Sequence, residues 1–276
     1  MKTWALIADT WREAFARFTF LGFAIASTLF LLTLAFALNL DIVDGALAAG
    51  SLFGQEFVLP RGETPIQQVV VHGQAAFAAM LYGLGIFLAV FATGSLVPNL
   101  VKRGTVDLYL TRPIGRTHVL LGRFAGGVTL VVANLLYLCG GVFAIISLKT
   151  GVWNPRFLLA GAVILLVFLS FLGLMFLIGV LSGSTPLSIM VPYGLYVISL
   201  PLVAHERIAA AVDSRWAAAL VHALFWALPK TAELGRDMTR LVVGEGSVGV
   251  TAALTTAAFG IVCLLLGVIA FNRKNY

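Results

Sequence analysis

A chain of 276 residues that is 60% hydrophobic and 11% charged lies outside the soluble globular class, in which about a quarter of residues are charged. Its mean hydropathy of +1.01 says the same, and no nucleic-acid partner is expected. The two cysteines, Cys139 and Cys263, match no metal or redox spacing, which leaves packing as their role in a polytopic membrane protein.

The first eighteen residues, MKTWALIADTWREAFARF, form the sharpest amphipathic pattern in the chain. Trp4, Ala8, Trp11, Phe15 and Phe18 recur at spacings of 4, 3, 4 and 3, which places them on one helical face. Such a helix, over 1–18, should lie in the headgroup plane with Trp4, Trp11, Phe15 and Phe18 in the lipid boundary. Its polar face, with Asp9, Arg12 and Glu13, is then open to a partner.

Apolar runs of about 18 or more residues without charge read as membrane-spanning helices. Six occur, at about 19–40, 75–97, 125–148, 157–181, 187–204 and 249–271, and none contains Asp, Glu, Lys or Arg. Ala35-Phe36-Ala37 looks like a signal cleavage site. The preceding run is longer than the roughly 7–15 residues of a signal core, and Asp9 and Glu13 sit where a basic leader should be. The first run is therefore read as an uncleaved helix, and the chain as a single transmembrane domain over 1–276.

After it, Asp41 and Asp44 in DIVDGALA match the opening of the metal motif of CDP-alcohol phosphotransferases, but Ala49 replaces its Arg and no second Asp pair follows. They more simply end the first helix. Asn134 is the amide well inside a span, where a helix–helix hydrogen bond is its ordinary use. Gly179 and Gly183 form a GxxxG pair, a signal for close helix packing. Pro192 and Pro201 should kink the fifth span. In the loop over 205–248 the apolar run 217–229 is too short to span. It suits an interfacial or re-entrant helix ended by Pro229.

Ten of the eighteen basic residues fall in the N-terminal segment, the 98–124 loop and the C-terminus. By the positive-inside rule both termini are cytoplasmic. The 98–124 loop itself reads as a capped element. Thr105 can cap a short helix with Asp107 in its first turn, and Arg112 before Pro113 ends it. Ile114-Gly115 turns the chain, and Thr117 can cap a second helix running into the third span.

No span carries an ionisable residue, whose cost at a helix centre is about 2.5–3.5 kcal/mol on insertion scales. HExxH and GxSG are absent, as is the GxxxxGK[ST] phosphate loop. Covalent chemistry and ATP binding through that loop are thus not expected of this chain.

The stretch Arg103-Gly104-Thr105-Val106-Asp107-Leu108-Tyr109-Leu110-Thr111-Arg112-Pro113-Ile114-Gly115-Arg116, with Gly122-Arg123 beyond it, resembles the permeases of ABC type-2 transporters. Their loop between the second and third helices reads s-G-T-l-e-l-L-L-s-x-P-v-s-R, followed by G-K. The departures are Asp107 for Glu, Tyr109 in the Leu run, Gly115 for Ser and Arg123 for Lys. The acidic residue that often precedes G-T is replaced by Lys102-Arg103.

The resemblance implies an all-α membrane protein of six transmembrane helices with an N-terminal interfacial helix, the ABC type-2 exporter permease fold, in a bacterial inner membrane. It implies that 98–124 is a coupling loop set into an ABC ATPase subunit, with two permease chains (a homodimer) and two ATPases in the working unit. ATP would be bound by the partner, with no cofactor on this chain. Gly104, Thr105 and Pro113 would set the loop's shape, and Asp107, Arg112 and Arg116 would contact the ATPase. Two other readings stand beside it: a non-transport scaffold of a membrane complex, and an ion-coupled carrier.

Overall fold

The computed structural model describes residues 2–16, 19–43, 46–52, 55–58, 66–101, 115–211 and 214–274. Two helices open the chain, α1 (Lys2–Ala16) and α2 (Thr19–Ala37). Three short strands follow: β1 (Leu38–Val43), β2 (Ala46–Leu52) and β3 (Gln55–Val58). The second span is built from α3 (Ile66–Met80), a π-helical segment (Leu81–Gly85), α4 (Ile86–Thr93) and α5 (Leu96–Val101). Then come α6 (Arg116–Thr150), α7 (Arg156–Ser182) and α8 (Thr185–Leu202). Three shorter helices, α9 (His205–Ala211), α10 (Arg215–Ala227) and α11 (Thr231–Val243), precede α12 (Val250–Arg273).

Among the described residues five helical stretches are long and apolar enough to cross a membrane: Gln67–Val101, Arg116–Thr150, Arg156–Ser182, Thr185–Leu202 and Val250–Arg273. A sixth crossing requires the bent pair α1 and α2, whose axes meet at 72°. That bend fits a surface helix followed by a spanning one. The membrane part is therefore helical and multi-pass. It is joined by one element that the all-α expectation did not contain, an antiparallel sheet in the order β1-β2-β3. The strands alternate too weakly to announce themselves, because Gly and Ala make up much of β2 and both are depleted in strands.

The centre of the bundle is α7. Phe157, Phe168, Phe171 and Phe176 on it are fully buried. Its closest partner is α12, and the reason is the absence of side chains: a Cβ on Gly173 would strike the Gly260 carbonyl, and one on Gly260 would lie 2.6 Å from the Ser170 Cα. Small residues let helix backbones approach, and dispersion contacts then hold the pair where apolar lipid offers no driving force.

Glycine also settles the Gly179–Gly183 motif, but not as one packing surface. Gly179 lies against Val97 and Pro98, whereas Gly183 adopts φ +64° with nothing near its Cβ position. Gly183 is the left-handed cap of α7, its N–H bonded to the Gly179 carbonyl at 2.9 Å. Pro192 and Pro201 both lie inside α8, which continues through them. Cys139 and Cys263 are buried and unpaired to each other, as packing residues.

α10 ends at Ala227 just before Pro229, as the apolar run suggested. α11 was not foreseen. Its Leu234, Met238 and Val242 are completely buried, one helical face at i, i+4 and i+8, packed against α3 and α7. The 205–248 segment therefore belongs to the bundle rather than hanging from it.

Candidate coupling site

Of the six residues expected to dock a partner, only Arg116 lies among the described residues, at the end of the bundle that carries the start of α6 and the end of α12. Gly104, Thr105, Asp107, Arg112 and Pro113 lie outside the described residues. The described part begins at Gly115, which is extended (φ −64°, ψ 145°) and caps α6 with its backbone. Thr117, read from sequence as that cap, instead hydrogen-bonds Asn272 of α12. Arg116 follows Gly115 and donates from Nη1 to the Lys274 carbonyl at 2.8 Å. Part of its donor capacity is thereby used within the chain.

Lys274 continues the chain of contacts. Its ammonium donates to the Val180 and Leu181 carbonyls, 2.6 and 3.1 Å away, at the C-terminal end of α7. Those carbonyls have no intrahelical donors and carry the negative end of the helix dipole. One relay of named groups thus ties the first turn of α6 to the last turn of α12 and the last turn of α7.

The other half of the site is α1 on α6. The sequence reading named the aromatic stripe of α1 but not the face that packs on α6. That face holds Leu6, Thr10 and Ala14, all buried, about 130° around the helix from the stripe at 100° per residue. Two glycines one turn apart receive it. A Cβ on Gly122 would lie 2.6 Å from Leu6 Cδ1, and one on Gly126 2.5 Å from Thr10 Oγ1. Gly122-Arg123-Phe124-Ala125-Gly126 is thus a small-xxx-small groove. The sequence carried that signal plainly, but Gly122 was assigned only to the G-K position of the loop.

Between the glycines stands Arg123, whose side chain is 3% exposed. It donates to Glu13 Oε2 and, at 3.3 Å, to Asp9 Oδ2. The polar face of α1 is therefore occupied by α6, at least through its carboxylates, rather than open to a partner. Arg123 is an internal ion-pair residue and does not behave as an anchoring charge of the loop.

The four residues expected in the lipid boundary divide. Trp4 is 74% exposed and Phe15 47%, as an interfacial face requires. Trp11 is half-buried and donates from Nε1 to Thr129 Oγ1 of α6 at 3.0 Å. Phe18 lies outside the described residues. Deeper in the bundle Asn134 donates to Ser27 Oγ of α2 at 2.9 Å, the helix–helix bond expected of it. It has company that the span boundaries hid: Gln74 and Asn99 are also buried within the second span.

The sequence matches no protein-family model and no curated protein. No group of three or more His, Cys, Asp or Glu among the described residues is arranged to hold a metal ion. Of the phosphotransferase pair, Asp41 lies in β1 and Asp44 outside the described residues. Arg116 is the first residue of a 35-residue helix that is bonded to the end of α12 through Arg116 and Thr117 and to α1 through Arg123.

Proposed function

We propose that this chain is the membrane-spanning permease subunit of an ABC type-2 transporter, moving a substrate across a bacterial inner membrane with both termini in the cytoplasm. The working unit has two copies of the chain and two ATPase subunits, which bind and hydrolyse ATP. This chain holds no cofactor and performs no covalent step.

The observation that carries the reading is the 103–116 sequence pattern leading without a spacer into α6. A helix of 35 residues is about 52 Å long at 1.5 Å per residue, against a hydrocarbon core of about 30 Å. Its first turns therefore project beyond the membrane, where a soluble partner can move them. Asp107 and Arg112 are assigned polar contacts with the ATPase, joined by the donors of Arg116 not used on Lys274. Gly104, Thr105 and Pro113 set the shape of the loop. The Arg116–Lys274–α7 relay supports the same reading, since a displacement of the loop passes to three helices together.

Co-expression with an ABC ATPase tests it. Deleting 104–113 should leave membrane insertion intact and abolish co-purification; unchanged co-purification overturns the docking assignment. In lipid vesicles the intact chain should raise the ATPase turnover. Co-purification without any change in turnover would favour the scaffold, and uptake driven by a proton or sodium gradient without ATP would favour the carrier.

A further inference from the structure

At the opposite end of the bundle, the corner between α10 and α11 contains a buried cation. Lys230 is 7% exposed, and its ammonium stands 3.9 Å over the Phe225 ring and 4.3 Å over Trp226. The rings attract it through their quadrupoles, and among the described residues no hydrogen bond to an oxygen acceptor is made by its N–H donors. Among the described residues no carboxylate lies within ion-pair distance of it. His205 stacks on Phe225 at 3.6 Å, and His222 meets His205 edge-on at 5.5 Å; neither brings a negative charge. Although the residue is buried, its ammonium nitrogen is not among the fully buried unpartnered atoms: it keeps an accessible side at which an anion can pair with it.

The surroundings are built to present the charge. Lys230 is the N-cap of α11, which has no side-chain cap, so its backbone stands at the positive end of that helix. The corner is fixed in place: the Lys230 N–H donates to Thr256 Oγ1 of α12 at 3.1 Å. Thr231 is held by the Tyr82 hydroxyl and by Ser199. A crevice with room for about one water lies here between Ser199, Leu202 and Val203 of the α8 end and Phe225, Leu228, Lys230 and Glu233. Apart from Ser199, Lys230 and Glu233 those walls are apolar. On the outer face of α10, Trp216 is 87% exposed, Leu220 61% and Trp226 59%. Exposed Trp beside exposed Leu marks the headgroup level of a bilayer.

We propose that this corner binds the phosphate of an anionic phospholipid, with Lys230 as the charge partner and the exposed Trp216 and Leu220 of α10 lying against the glycerol and upper acyl chain. Glu233 lines the same crevice as Lys230 and opposes the anion, so it limits affinity. The proposal does not rest on the transporter reading, because lipid retention is measured without any ATPase.

The test is native mass spectrometry of the intact chain from micelles doped with phosphatidylglycerol or with phosphatidylcholine. The wild type should retain phosphatidylglycerol about fivefold more than phosphatidylcholine, the effect of one lysine at a membrane surface. K230Q should erase the preference, K230R keep it and E233Q raise it, with gel filtration reporting that each variant is folded. Equal retention of the two lipids by wild type, or an unchanged preference in K230Q, overturns the proposal. Should K230Q not fold, E233Q decides: a preference that does not rise is the overturning result. Displacement of the lipid by inorganic phosphate would assign the site to a free anion and overturn the lipid.

Discussion

Arg123 shows how far one residue's meaning depends on what faces it. Its side chain is almost completely buried against Glu13, which is 20% exposed, and Asp9, which is 46% exposed. Removing the guanidinium takes a buried charge partner from the partly desolvated Glu13, and loss of one partner costs more than the pair itself contributes. Arg123→Gln should lower stability by about 1–3 kcal/mol, read as a fall in thermal unfolding temperature in detergent. Exchanging the charges, Arg123→Glu with Glu13→Arg, should recover part of the loss. No recovery would mean that the pair is incidental to the contact. From sequence alone Arg123 is one of five basic residues in a loop, and the positive-inside rule accounts for all five equally. Only the burial distinguishes it.

At the scale of elements, two helices owe their places to surfaces that a hydropathy profile does not weigh. The aromatic stripe of α1 was legible because a 3.6-residue period is a local property of the sequence. The choice of Leu6, Thr10 and Ala14 for the packed face was not, since it depends on two glycines more than a hundred positions away. Gly126→Leu should push Thr10 off α6 at a cost of about 1–3 kcal/mol, the range for overpacking. A cysteine placed at position 10, where the native residue has no exposure, should be inert to an aqueous maleimide in the wild-type background. It should become reactive when Gly126→Leu is added. α11 makes the complementary point: it is polar enough to pass for a loop, yet Leu234 and Met238 have no exposed surface. Leu234→Ala should cost about 2–5 kcal/mol, visible as an earlier unfolding transition, whereas substitution of the exposed Arg240 neighbour Glu245 should not move it.

For the whole molecule, the structure is a central helix, α7, with α12 pressed against it through glycines and the remaining spans arranged around the pair. The contacts of Arg116 and Lys274 make α6, α7 and α12 share one end. If the loop is a lever, its motion is that of a three-helix body. Lys274→Ala, which frees the α7 carbonyls, should then reduce ATPase stimulation severalfold while leaving co-purification in place. Loss of both together would make Lys274 part of the docking surface instead.

The existence and position of five apolar spans, the short helix before Pro229 and the surface character of Trp4 and Phe15 were determined by the sequence itself, because run length, helical period and proline's missing donor are properties of neighbouring residues. The tertiary structure decided the rest: which face of α1 is buried, where Arg123 finds its carboxylates, and that α11 enters the bundle. It also decided that Lys230, nominally a loop lysine, is a buried cation. Each of those depends on pairs of surfaces brought together from distant parts of the chain, and a glycine or a charge acquires its role only from what is packed against it.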